Sequence, residues 1–301
     1  MRRLRFAAPA LAVLLVLLVG LLPASAGQPG TGTTYIYIQN ADATNDASVI
    51  TSYYNTAGSM VTSFSSAVLK PYVGTEVLPT DPDSPVLPTG FNGSAVVSSD
   101  RMVAAVGRTI YTNVPTVGDQ MTAGDYTAMS DPATSAYLPY IFDNARNSVW
   151  TIQNTEDTPS TVYIHYVRRS GDAAINGTEI PAGTNCNGGY VVDTIPANGT
   201  VYYDLLNLTR NGVPSGAKTA SDKVPCMSCM TTGSCVQSTA GSYGQFEGAV
   251  WITSTTNIAT AASTHWDKFE GMYTGATADD SFLFFPQVVR VKDEIADGKP
   301  A

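Results

Sequence analysis

The chain has 301 residues, a formal charge of −9 and only 14% charged side chains, well under the roughly 25% usual for soluble domains. A surface this acidic repels phosphate backbones and anionic lipid, so nucleic-acid and membrane-surface binding are excluded as leading readings. Only two His are present, which leaves imidazole catalysis little to draw on.

The chain opens with Arg2, Arg3 and Arg5, then an apolar run over residues 7–22, then Pro23. Ala24-Ser25-Ala26 supplies a small-x-small cleavage pattern before Gly27. This is the signature of a secretory signal peptide over residues 1–26. The apolar run is shorter than the roughly 20 residues needed to span a bilayer as an anchor. Leu4-Arg5-Phe6 fits a twin-arginine signal poorly. Removing three Arg leaves 13 bases against 25 acids, a formal charge of −12. The expectation is a secreted, extracellular, cell-surface-associated protein with no membrane insertion after cleavage.

Strand patterns follow at once. Residues 35–38 (Tyr-Ile-Tyr-Ile) are all β-formers, and residues 48–54 repeat the pattern. A loop rich in Pro and Asp over residues 80–90 precedes apolar runs at 93–97 and 102–106, which read as a hairpin. Residues 112–134 are polar and read as the junction between two modules. Beyond it, residues 161–167, 248–253 and 258–262 repeat the earlier strand signals. Turn residues recur about every 8–12 residues, the spacing of a β-sandwich. No amphipathic helix of three turns is present in the mature chain; only residues 292–297 suggest a short helical turn.

Three motifs occur twice in the same order. Ile38-Gln39-Asn40 returns as Ile152-Gln153-Asn154, Phe91-Asn92-Gly93 as Phe246-Glu247-Gly248, and Tyr137-Leu138-Pro139 as Phe284-Phe285-Pro286. Repetition of this kind defines architecture before chemistry. The offsets are 114, 155 and 147 residues, so the second copy gains 41 residues in its middle and loses 8 near its end. The reading is all-β: two tandem antiparallel β-sandwiches, immunoglobulin-like or jelly-roll-like, over residues 31–135 and 136–290, with a tail over 291–301.

The pattern I-Q-N-x-[DE], a β-hairpin, F-x-G-[SA]-[AV] and an aromatic-x-Pro strand resembles tandem β-sandwich repeat proteins of bacterial cell surfaces. It is carried by residues 38–42, 91–95 and 137–139 and by their second copies. The resemblance implies an exported, non-catalytic, structural or adhesive role. The Cys-bearing insertion departs from an array of identical modules.

One element is unmatched. The aromatic-x-Pro strand precedes the second module, its counterpart follows that module, and nothing equivalent precedes the first. Either each such strand closes the module before it, or the terminal one is donated to an open sheet edge of another molecule. Phe282, Phe284, Phe285 and Val288 are the candidate assembly residues.

Cys186, Cys226, Cys229 and Cys235 all fall in the inserted region. In an exported chain they read as two disulfides of open pairing, with a metal site as the rival. Elsewhere no cofactor is expected, with calcium held open as the alternative: the oxygen-rich residues 40–46 loosely resemble a calcium loop without its Asp-x-Asp-x-Asp-Gly order. Asn92, Asn176, Asn198 and Asn207 head glycosylation sequons. His165 reads as a surface or cross-strand partner. His265 with Asp267 is the best candidate for catalysis, yet no G-x-S-x-G elbow accompanies it. The acidic pairs Asp81/Asp83, Glu156-Asp157 and Asp279-Asp280 sit in expected loops. Sixteen Tyr permit sugar stacking as well as cross-strand packing.

The expectation is a non-enzymatic surface or filament protein without cofactors, whose partners are copies of itself, other surface proteins or glycans. The alternatives are a carbohydrate-binding module and a hydrolase with an unrecognised site.

Overall fold

The computed structural model describes residues 31–79, 86–113, 121–143, 146–168, 191–204, 209–211, 213–214, 246–266 and 269–277. Among them every regular element is a strand and all pairings are antiparallel, so the chain is all-β.

The first module contains β1 (Thr31–Asn40), β2 (Val49–Asn55), β3 (Met60–Ser65), β4 (Gly74–Val77), β5 (Gly93–Ser99), β6 (Val103–Thr112) and β7 (Thr122–Thr127). They form two sheets, in the orders β4-β1-β6-β7 and β3-β2-β5. Alternating apolar positions turn inward between the layers, because successive strand side chains point to opposite faces. Ile36, Ile38, Val77, Val103 and Ala105 of one sheet meet Val49, Tyr53, Ala95 and Val97 of the other.

The second module contains β8 (Ala133–Asp143), β9 (Asn147–Asn154), β10 (Ser160–Arg168), β11 (Val191–Ile195), β12 (Thr200–Asp204), β13 (Thr209–Arg210), β14 (Val213–Pro214), β15 (Phe246–Trp266), β16 (Phe269–Thr274) and β17 (Ala276–Thr277). β15 is 21 residues long. Its first half pairs with β10 and β8, and its second half pairs with β9 and β16. The change of partners carries one strand through both layers. The two layers enclose a core that includes Leu138, Ile141, Trp150, Ile152, Val162, Ile164, Tyr166, Tyr203, Val250 and Ile252.

The repeat holds at the level of individual pairs. Ile38 opposes Ala105 between β1 and β6, and Ile152 opposes Thr260 between β9 and β15. Tyr53 opposes Ala95 between β2 and β5, and Tyr166 opposes Val250 between β10 and β15. Thr109 opposes Gly124 between β6 and β7, and Thr264 opposes Gly271 between β15 and β16. These pairs match at offsets of 113 or 114 for the first strands, 155 for the middle ones and 147 for the last, as the motif spacing requires. The inserted residues enter in two places. The offset rises from 113 (Tyr53 to Tyr166) to 127 (Phe64 to Val191) between β10 and β11, and from 126 (Val77 to Tyr203) to 155 (Ala95 to Val250) between β12 and β15. Cys186 belongs to the first insertion and the other three cysteines to the second.

Three sequence expectations change. The apolar runs at 93–97 and 102–106 are not a hairpin: β5 pairs with β2, and β6 pairs with β1. The polar break at residues 100–102 takes the chain from one layer to the other, where each half finds a distant partner. The polar stretch 112–134 is not only a junction, because β7 lies in it and adds to β6. Finally, β8 crosses the expected boundary at 135 and closes the module that follows it, not the one before.

Candidate functional site: a strand shared between modules

β8 leaves the first module and is absorbed by the second. It pairs with the first half of β15, Val250 opposite Leu138, Trp251 opposite Tyr137 and Ile252 opposite Ala136. Ala136, Leu138, Ile141 and Phe142 are fully buried. The inward positions shift from even (136, 138) to odd and even (141, 142) across Pro139 and Tyr140. The ladder shifts register at that point, between Gly248 and Val250. A proline has no N–H to give a ladder and is tolerated where a bulge interrupts it. The exposed face of this sheet carries a row of rings across three strands. His165 stacks on Trp251 at 4.5 Å, and Trp251 on Tyr137 at 6.3 Å. The rings lie nearly parallel and turn their faces toward one another, the arrangement of cross-strand aromatic pairs.

Among the described residues the first module has no counterpart of this strand. β5 corresponds to the first half of β15, and among the described residues it pairs with β2 alone. Its inward side chains Ala95 and Val97 remain half-buried, where Val250 and Ile252 are fully buried. Ile36, Val103 and Ala105 are likewise half-buried, while their counterparts Trp150, Ile258 and Thr260 are buried. An unpaired edge with an unfinished apolar layer behind it is a site for strand addition.

The repeated Asn has a structural role in both copies. Asn40 Nδ2 donates to the Asn45 and Leu69 carbonyls, and its Oδ1 accepts from the Asp42 amide. Asn154 Nδ2 donates to Thr158 and Pro196, and its Oδ1 accepts from Glu156 and Thr256. Each Asn ties the loop after its strand to the neighbouring crossover, which satisfies buried backbone groups. The loosely calcium-like loop at 40–46 turns its acid inward on itself. Asp42 accepts from the Thr44 and Asn45 amides, which together with the Asn45 side chain hold its carboxyl down at about 2. Among the described residues no group of three or more His, Cys, Asp or Glu forms a metal cage.

The second module adds a polar staple that the sequence did not advertise. Asp193 on β11 is gripped by Arg210 on β13 through Nε at 2.6 Å and a second nitrogen at 2.9 Å, and the Tyr203 hydroxyl donates to it at 2.6 Å. Burial raises the Asp193 carboxyl, but these hydrogen bonds outweigh it and hold the group below the ordinary range. Asp193 lies on β11 beside β10, whereas Tyr203 and Arg210 lie on β12 and β13 beside β9, so the staple joins both layers; buried Tyr203 also stacks on its β9 neighbour Trp150 at 4.4 Å. The signal was weak because the three residues are spread over 18 positions and meet only across strands.

His265 is buried in β15, and burial lowers its imidazole while Asp204 opposes the shift. Its expected partner Asp267 lies outside the described residues. Opposite His265 in register is Glu270, to which Ser263 donates a hydrogen bond. Burial pushes the Glu270 carboxyl up to about 7. This region meets β7 of the first module: a Cβ at Gly124 would come within 2.6 Å of Met272 Cγ and 3.2 Å of Glu270 Cγ. Gly124 is therefore required by close approach of the two modules, and Glu270 belongs to their joint.

Of the sequons, Asn92 is exposed beside Tyr202 of the second module. Asn198 adopts a left-handed turn with φ of 55°. Asn176 and Asn207 lie outside the described residues, as do all four cysteines, Asp81, Asp83, Asp279, Asp280, the 292–297 turn and the assembly candidates Phe282, Phe284, Phe285 and Val288. Glu156, in the loop after β9, accepts from Asn257 of β15 at 2.9 Å, beside exposed Asp157. Comparisons of the chain with protein-family models, curated proteins and solved structures return no match.

Proposed function

We propose that this protein is an exported structural or adhesive component of the cell surface, which assembles with copies of itself or with other surface proteins. The observation that carries this reading is β8. The segment after one sandwich is built into the core of the next, so the modules are joined through a hydrogen-bonded ladder and buried side chains instead of a flexible tether. Such a joint keeps neighbouring modules in fixed relation and passes tension through the sheet. The repeated motifs support the same reading, since each contributes to the sandwich: Asn40 and Asn154 close loops, and Tyr53 packs edge-on against Phe91. The leader and the acidic, Thr- and Ser-rich surface agree with work outside the cell.

Cell fractionation with electron microscopy of native material tests the proposal. Filaments or a surface layer containing the processed chain are the expected result. Processed protein that is uniformly monomeric and unattached to cells or to other surface proteins would refute it.

A further inference from the structure

We propose that residues 282–290 of one copy add as a strand to the free edge of β5 in another copy. The inference rests on the assembly reading above and names the acceptor, the donor and their register.

The donor follows from the internal repeat. β7 and β16 match at an offset of 147 residues, and the same offset carries Tyr137-Leu138-Pro139 onto Phe284-Phe285-Pro286. The buried positions of β8, Ala136, Leu138, Ile141 and Phe142, map onto Leu283, Phe285, Val288 and Val289. Every one is apolar, and Pro286 falls where Pro139 interrupts the ladder. Residues 282–290 therefore carry the inward pattern of a strand whose twin is already built into a sandwich.

The acceptor follows from the same correspondence. β8 lies on the first half of β15, whose counterpart is β5, and β5 has an open edge among the described residues. The leader explains the gap: at the offset of 114 that relates β1 to β9, the counterpart of β8 would be residues 19–29, which span the expected cleavage site. Export would thus remove the strand that could have filled the edge in place. Within the chain, the donor has little room beside β8. Ala276 and Thr277 of β17 oppose Tyr137 and Ala136 on its outer edge, so continued pairing would reach Ala133, the start of β8, at residue 280. In β8, the strand after one module enters the next module. Repeated once more, that rule delivers residues 282–290 to the first module of a second copy.

The register is specific. Trp251 opposite Tyr137 becomes Val96 opposite Phe284. Directly opposed residues lie about 4.5–5.5 Å apart between Cα atoms, within disulfide range. Val96 is exposed, so replacing it leaves the core intact. The test mixes full-length processed Val96→Cys with full-length processed Phe284→Cys under mild oxidation, and compares each variant alone and the double variant. The expected result is a covalent dimer from the mixture, beyond any formed by either single variant, and a ladder of covalent multimers from the double variant. A Val96→Cys mixture with Leu283→Cys, whose side chain falls on the opposite face, should give at least tenfold less dimer. A double variant that links only within its own chain would overturn the proposal, as would a mixture without the dimer. Electron microscopy of the same samples separates the two levels. Assemblies without the Val96–Phe284 link defeat strand donation and leave the structural reading standing; absence of any assembly defeats both.

Discussion

Leu138 tests whether β8 belongs to the core of the second module. Its side chain is fully buried against that module, although it lies only a few residues past the first. Leu138→Ala removes three carbons from a packed site, and such changes cost about 2–5 kcal/mol, depending on how far the site collapses. Taking about 3 kcal/mol, and about 2–4 °C per kcal/mol for a unit of this size, the melting temperature of the second module should fall by about 6–12 °C. The assay is selective because Trp150, Trp251 and Trp266, the three tryptophans of the chain, are all in the second module. Tryptophan fluorescence during thermal or urea unfolding therefore reports that module alone. Tyr137→Ala at the exposed neighbouring position should cost about 1 kcal/mol or less, the scale of one cross-strand pair. A Leu138→Ala protein with an unmoved tryptophan transition would show that β8 is not part of this core, and the reasoning about donation would lose its template.

Glu270 supplies a pH prediction. Its carboxyl is raised from 4.5 to about 7, so the folded chain holds a proton that the unfolded chain releases as pH climbs through that window. Stability from this group is full below about pH 4.5 and is lost toward pH 7, by about 3 kcal/mol. Urea unfolding at pH 4.5 and pH 8 should show that much more destabilisation in the native chain than in Glu270→Gln; equal slopes would remove the carboxyl from the joint. The paired asparagines predict a separable effect. Asn154→Ala strands buried carbonyls and should cost about 3 kcal/mol in the tryptophan transition, whereas Asn40→Ala should lower a transition seen by circular dichroism and leave tryptophan within about 0.5 kcal/mol. If both substitutions moved the tryptophan signal alike, the modules would not unfold as the separate cores described above.

Much of this architecture was readable along the chain. Alternation at period two marked the strands, and Ile-Gln-Asn, Phe-x-Gly and aromatic-x-Pro recurred at offsets that reappear as equivalent residue pairs between strands. What misled was pairing. Residues 93–97 and 102–106 look like two arms of a hairpin, because nearby apolar runs separated by a polar break usually pair. Here the break changes layers, and each arm finds a partner at least 38 residues away in sequence. The Asp193, Tyr203 and Arg210 staple was hidden for a related reason: a strand sequence shows which face a side chain takes, but not which strand will lie beside it.

Amino-acid order alone determined the strand class, the duplication and the apolar spacing of the two aromatic-x-Pro segments, because these depend on local geometry and on counting residues. Only the folded molecule decided that β8 joins the module after it and that β5, among the described residues, pairs on one edge alone. Those outcomes depend on which backbone edge is free and how much apolar area each candidate strand can cover, and both are settled between segments far apart in the chain.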